Sequence, residues 1–172
     1  MFETERLLIT LAKEEDCQAL LAIGRSWDSQ QLLTGAEPVG LDYFIQGLKV
    51  GHLPPKGRKE NYCLLLIRSK SDDQIVGFME IYQGYPQEKT LWLGQLIFDR
   101  DLRGQGFGRE VIDGLKNWVI SNGFEKIQLG VHLKNWPALK FWIANGFDKA
   151  LRISGDAEYS ENTFAVIALE WR

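Results

Sequence analysis

Glycines alternate with larger residues in Arg103-Gly104-Gln105-Gly106-Phe107-Gly108, between an aliphatic run and a stretch of helical period. The first peptide N–H groups of a helix have no partner inside it, and the helix dipole leaves partial positive charge at that end. Glycine at these positions lets phosphate oxygens approach the backbone amides, because a Cβ would hold them off or forbid the dihedrals that aim the amides inward. Arg103 and Arg109 add charge beside the turn, so a pyrophosphate is its natural occupant. A plain strand-to-helix turn needs one flexible residue, and three alternate glycines flanked by arginines go beyond that need. The spacing differs from the dinucleotide fingerprint, and no Gly-Lys-Ser/Thr end of a P-loop follows.

The elements that would present this turn follow from hydrophobic period. Three aliphatic and aromatic runs, Tyr62 to Ile67, Ile75 to Tyr82 and Leu91 to Phe98, are separated by polar turns and predict an antiparallel meander. After the glycines, Phe107, Val111, Ile112, Leu115, Trp118 and Val119 make one apolar helical stripe that Asn122-Gly123 ends. Ile127, Leu129 and Val131 alternate as a strand, so the Leu91 to Val131 unit is a strand-helix-strand crossover with its strands parallel. Pro137 opens another helix that runs to Asn145-Gly146, and Thr163 to Trp171 forms a last strand. Before the meander, Arg6 to Leu11 is a short strand, and Cys17, Leu20, Leu21 and Gly24 recur at helical spacing behind the acidic Glu14-Glu15-Asp16. Ser26 to Gly40 shows no clear period and reads as an irregular or partly helical excursion, Leu41 to Leu48 forms a short helix, and Gly51 to Lys59 reads as an exposed, mobile loop. The order points to a mixed α/β sheet with helices on its faces.

Residues 1–172 read as a single domain, since an apolar share of 45% with 6 Trp and 9 Phe is enough for a sizeable core. A net charge of -3 argues against nucleic acid as a partner, which demands clustered Lys and Arg. Cys17 and Cys63 lack metal-ligand spacing and fall in apolar patterns, as expected of reduced thiols. No basic start precedes an apolar run and no stretch has membrane-spanning length, so the expected location is the cytoplasm, with no membrane partner and a monomer or homodimer as the state.

Arg103-x-x-Gly106-x-Gly108 behind a strand resembles the pyrophosphate motif of the GNAT superfamily of acyl-CoA-dependent N-acetyltransferases, and Asn135-Trp136-Pro137 to Asn145-Gly146-Phe147 resembles the family's second helix in the right order. The opening Thr4-Glu5-Arg6-Leu7-Leu8-Ile9 is similar to the subgroup that acetylates ribosomal-protein amino termini. The resemblance implies a mostly antiparallel central sheet splayed at one parallel strand pair, with helices on both faces. It implies acetyl-CoA as co-substrate, held by the backbone of Leu96 and Phe98 and by the turn from Arg103 through Gly104, Gln105, Gly106, Phe107 and Gly108 to Arg109. Asn135 would bind the pantetheine arm, and Trp142 would line the cleft wall or pack in the core. The implied acceptor is a small-molecule or peptide amine.

Attack of an amine on a thioester requires a proton acceptor and a way to stabilise or protonate the thiolate. Here the chain departs from the family: Gln95 stands where Glu is common, Trp142 where Tyr is common, and Ala138 where the amino-terminal subgroup sometimes has Ser. Glu80 and His132 are the remaining catalytic candidates, against the alternatives of a solvent-facing strand residue and a loop hydrogen bond. Their weakness keeps open a non-catalytic acyl-CoA sensor. Trp27, Asp28 and Glu37 make Ser26 to Gly40 the expected lid over the acceptor.

Overall fold

Aliphatic alternation puts every second side chain of the central strands on one face, and the helices supply apolar stripes to cover both faces. The computed structural model describes residues Met1–Arg172. Its strands are β1 (Phe2–Glu3), β2 (Leu7–Leu11), β3 (Tyr62–Ser69), β4 (Ile75–Gln83), β5 (Thr90–Phe98), β6 (Lys126–His132), β7 (Lys149–Gly155) and β8 (Ala165–Trp171). The helices are α1 (Cys17–Arg25), α2 (Gln30–Thr34), α3 (Leu41–Lys49), α4 (Phe107–Ser121) and α5 (Trp136–Ala144). One sheet carries all the strands in the order β1-β2-β3-β4-β5-β6-β8-β7. Its one parallel pair is β5 with β6, joined through α4.

Two cores lie back to back. Met79, Ile81, Leu91, Leu93, Ile127 and Leu129 face Val111, Leu115 and Val119 of α4 together with Trp142 of α5. On the other face, Leu64, Leu66, Phe78 and Tyr82 meet Leu20 and Ile23 of α1 and Phe44 of α3. Cys17 packs in the second core and Cys63 against the first, so the two free thiols are on opposite sides of the sheet.

The parallel pairing is short. It runs from Thr90 opposite Lys126 to Leu93 opposite Leu129 and then stops, while β5 keeps β4 on its other edge as far as Phe98. Beyond this point β6 is paired only with β8. The separation begins at a β-bulge: Ile81 faces Leu93 and Glu80 faces Gln95, which leaves Gly94 as the extra residue of β5. The sheet is thus splayed as the resemblance implied.

Hydrophobic period in the sequence reveals the other long elements but not β1 or β7, and it marks α2 only as part of an irregular or partly helical stretch. Every residue of β7 is exposed, so its sequence has no buried face to set a period. Helix α2 has only 5 residues and ends at Gly35 in the left-handed region, φ 73°.

Phe44 is fully buried and meets the Phe78 ring edge-on with centroids 5.3 Å apart, which fastens α3 to the sheet. Phe44→Ala should cost about 3–5 kcal/mol of unfolding free energy, measurable as a fall in the urea midpoint with an unchanged slope.

Candidate active site

The divergence of β5 from β6 opens a cleft of about 620 Å³. Asp99 N–H donates to Val76 O at 2.9 Å, so by strand alternation Ile97 also turns toward β4, and the backbone groups of Leu96 and Phe98 turn to the open edge. Leu96 and Phe98 line the cleft. At its far end stands the amino terminus of α4, whose N-cap Gly106 offers no side chain to its free N–H groups. Gly104 and Gly106 have φ 80° and 84°, the left-handed region that disfavours a side chain. No atom comes within 4 Å of where a Gly104 Cβ would be, so the turn has open space beside it. Gly108 has a different reason: a Cβ there would lie 3.1 Å from the Phe141 ring, where α4 and α5 approach. Arg103 lines the cleft while its Nε donates to Phe98 O at 3.1 Å. Phe107 and Arg109 line it too, and the Gln105 carbonyl is held from outside by Arg6 Nη1 at 3.1 Å.

On the opposite wall, Asn135 caps α5 by accepting Ala138 N–H at 3.2 Å, which leaves its amide N–H groups for a ligand. Ala138 and Trp142 complete this wall. Trp142 is also 9% exposed and edge-on to Phe147 at 5.1 Å, so one indole serves the core and the cleft.

The glycine turn is braced from the start of the chain. Glu110 in the first turn of α4 accepts from Thr4 Oγ1 at 2.5 Å, Arg6 N at 2.8 Å and Arg6 Nε at 2.6 Å. The Arg6 guanidinium also stacks over Phe107, 4.6 Å from the ring centroid. Burial pushes the Glu110 carboxyl upward, but the hydrogen bonds from Thr4 and Arg6 and the Arg6 charge outweigh it and hold the pKa below the usual carboxylate value.

Across β5 from the cleft lies a second cavity, of about 420 Å³, which Gly94 and Gln95 line on the strand. Glu80 forms its base. This carboxylate is 4% exposed and accepts from Tyr43 OH at 2.7 Å and Tyr62 OH at 2.8 Å, with His52 Nδ1 at 2.9 Å. Gln95 Nε2 donates to Tyr43 OH at 2.8 Å and extends the network to β5. Burial and the neighbouring Glu80 charge push both phenols far above their ordinary value, so both stay neutral donors. Tyr82, Tyr85 and Trp92 wall the cavity, with Tyr85 edge-on to Trp92 at 5.7 Å.

The family model described as Acetyltransferase (GNAT) family matches residues 35–147, which contain both cavities' central residues. The chain belongs to the GNAT family of acetyltransferases. Among known proteins, this GNAT chain is similar to N-alpha-acetyltransferase 80 of Mus musculus, 28% identical over 74 residues that make up 41% of this chain and 24% of that protein. The matched stretch is therefore about a quarter of that relative's length. Its fold is that of the Escherichia coli ribosomal-protein-S18-alanine N-acetyltransferase, with TM-score 0.69, 16% identity and coverage of 96% and 92% of the two chains. An acetyltransferase from Thermus thermophilus matches with TM-score 0.69, 22% identity and 98% of each chain.

Against this GNAT frame, the residues singled out in the sequence divide clearly. Leu96, Phe98, Asn135, Trp142 and the glycine turn except Gln105 come together around one cleft, while Gln105 is absent from its lining. Glu80 faces the second cavity and is buried, not solvent-facing. His132, at the end of β6, lines neither cavity; burial pushes its pKa down, and its buried Nδ1 has no hydrogen-bond partner. Trp27 lines the first cleft, Asp28 pairs with Arg100 and Glu37 bonds to Gln31, so the Ser26 to Gly40 segment does not cover the second cavity. That role falls to α3 and to the loop read as a mobile surface segment, since Tyr43, His52, Leu53, Pro54 and Pro55 line the second cavity. His52, Tyr43 and Tyr62 carry no sequence signal of a shared site. The one available hint is that Glu80 lies between Phe78 and Tyr82 on the same strand face.

The Glu110 brace has a pH signature. Its folded-state pKa is depressed, so its contribution is complete above the ordinary glutamate value of 4.5 and is lost as pH falls through the folded value. Glu110→Gln should destabilise the protein at neutral pH by about 1–3 kcal/mol, and the gap to wild type should close as pH drops below the ordinary glutamate range. Urea denaturation at a series of pH values measures both.

Proposed function

We propose that this protein transfers an acetyl group from acetyl-CoA to the nitrogen of a primary amine, on a small molecule or a peptide amino terminus. The observation that carries this reading is the meeting of two cavities along β5. The cleft includes Leu96 and Ile97, the second cavity includes Gly94 and Gln95, and both sets follow Leu93, the last residue of β5 paired with β6. The cleft suits acetyl-CoA: backbone amides around Gly104 and Gly106 for the pyrophosphate, the open edge of Leu96 and Phe98 for pantetheine amides, and Asn135 beside it. The second cavity suits the acceptor, because it adjoins the end of the cleft where a thioester would reach β5 and contains the buried carboxylate Glu80. In this reading His132 carries no step.

Holding amine and thioester together supplies much of the acceleration for a reactive acyl donor, so the chain's Gln95, Ala138 and Trp142 are compatible with turnover. An amine acceptor is supported by the similarity to an N-alpha-acetyltransferase and to a ribosomal-protein-S18-alanine N-acetyltransferase.

Coenzyme A should raise the thermal midpoint of the wild type, corresponding to about 2.7 kcal/mol at a concentration 100 times its Kd. Gly106→Val forces a branched side chain onto backbone at φ 84°, with its Cβ 3.4 Å from Arg6 Nη2, and by distorting the turn should remove that shift. Thiol release from acetyl-CoA across an amine panel completes the test. Protection without turnover on any amine would identify a binding module and overturn the enzymatic reading, and absence of both would overturn the cofactor reading as well.

A further inference from the structure

The second cavity has a selective lining. Its walls are the rings of Tyr43, Tyr62, Tyr82, Tyr85 and Trp92, and no Lys or Arg belongs to the lining. Its one acid, Glu80, already accepts three hydrogen bonds and is 4% exposed, so it is not free to take a proton from a ligand directly. His52 is placed differently. Its side chain is 29% exposed, its Nδ1 is tied to Glu80, and its Nε2 hydrogen-bonds no protein group. A carboxylate accepts hydrogen bonds and does not donate them, so the proton of a neutral imidazole belongs on Nδ1 and the lone pair is on Nε2.

We infer that His52, oriented by Glu80, is the proton acceptor of the transfer and that the aromatic chamber around it takes an amine with an apolar or aromatic body and no anionic group. This rests on the acetyltransferase reading above and names the acceptor class and the base within it. An ammonium group entering the chamber meets ring faces that attract cations and the negative end of the Glu80 network. A carboxylate on the same molecule would meet no cation and would be buried unpaired beside Glu80. The chamber's 420 Å³ suits a small ligand of this kind.

The chemistry balances with groups already named. The amine reaches its neutral form by giving a proton to solvent, and its nitrogen lone pair forms the bond to the thioester carbonyl carbon. As the nitrogen then loses its surplus proton to His52 Nε2, the carbon–sulfur bond breaks with its electron pair on sulfur. The thiolate takes a proton from water and the imidazolium returns one to solvent. The titratable groups facing His52 are Glu80 on β4, Tyr62 on β3 and Tyr43 on α3, with Lys59 behind the Tyr62 ring. Tyr43 stacks on the imidazole with centroids 3.9 Å apart and holds it from the other side. Both tyrosines remain neutral, for the reasons given above, so they orient and do not exchange protons.

Purified protein should be assayed by thiol release with acetyl-CoA and two matched acceptors, phenethylamine and phenylalanine, which share a body and differ by a carboxylate. Phenethylamine should be favoured in kcat/KM by about tenfold or more. His52→Gln should lower kcat by a factor of about 10²–10⁴ and remove the acidic limb of the kcat/KM profile, with the KM for acetyl-CoA and the thermal protection by coenzyme A unchanged. Glu80→Gln should retain part of the activity with a lowered kcat, because the imidazole loses the carboxylate that orients it; this variant and the acceptor pair decide the matter should His52→Gln fail to fold. Equal use of the two acceptors, wild-type turnover in His52→Gln with its acidic limb intact, or abolition by Glu80→Gln without effect of His52→Gln would each overturn the inference. Coenzyme A protection with no turnover of phenethylamine overturns it while leaving the cofactor site standing, and loss of that protection in the wild type is instead the failure of the acetyltransferase reading.

Discussion

Two parallel strands that stop pairing midway along their length create most of what is distinctive in this molecule. Backbone amides in a sheet interior are normally consumed by their neighbours, and a strand freed on one edge must be hydrated or must bind something. Here β5 is held by β6 from Thr90 to Leu93 and by β4 much further, so its Leu96 and Phe98 edge is presented without the strand itself coming loose. The Gly94 bulge is the hinge of that arrangement, since an extra residue bends the strand while the ladder with β4 resumes at Gln95. The glycine turn that follows this strand sets the unpaired amides of a helix start at the end of that open edge.

The second consequence of the bulge is electrostatic. Glu80 sits on the opposing strand at the register shift, buried among aromatic rings. A carboxylate in such surroundings survives only with its lone pairs satisfied, and two phenols and an imidazole do this from three different elements. The same hydrogen bonds that make the charge tolerable fix the orientation of Tyr43, Tyr62 and His52. The stability of the buried charge and the placement of these side chains therefore share one set of contacts.

How much of this was legible in the sequence depends on whether a feature is local. The glycine turn, the α4 stripe and the crossover were readable because their causes lie within a few residues of one another. The fully exposed β7 and the short α2 gave no period to read. The second cavity was hidden for another reason: Tyr43 is 37 positions from Glu80, and His52 is 28. Two prolines and two glycines near His52 suggested a surface loop, and the loop is indeed irregular, but its inner side is a wall. Gln95 looked like a lost catalytic acid; in space it faces Glu80 across the ladder, so a carboxylate occupies the adjacent strand of the same face.

The contacts of Thr4 and Arg6 with Glu110 span 106 and 104 residues, and Arg6 also grips the carbonyl of Gln105. Contacts of such separation form only after the intervening sheet has assembled, since closing so long a loop costs entropy that local structure does not return. During synthesis the amino-terminal residues emerge long before the helix they must clasp, and they wait unpaired until it arrives. The finished glycine turn and its brace are thus a late product of folding, and their formation reports that the whole chain, and not merely a motif within it, has reached its native arrangement.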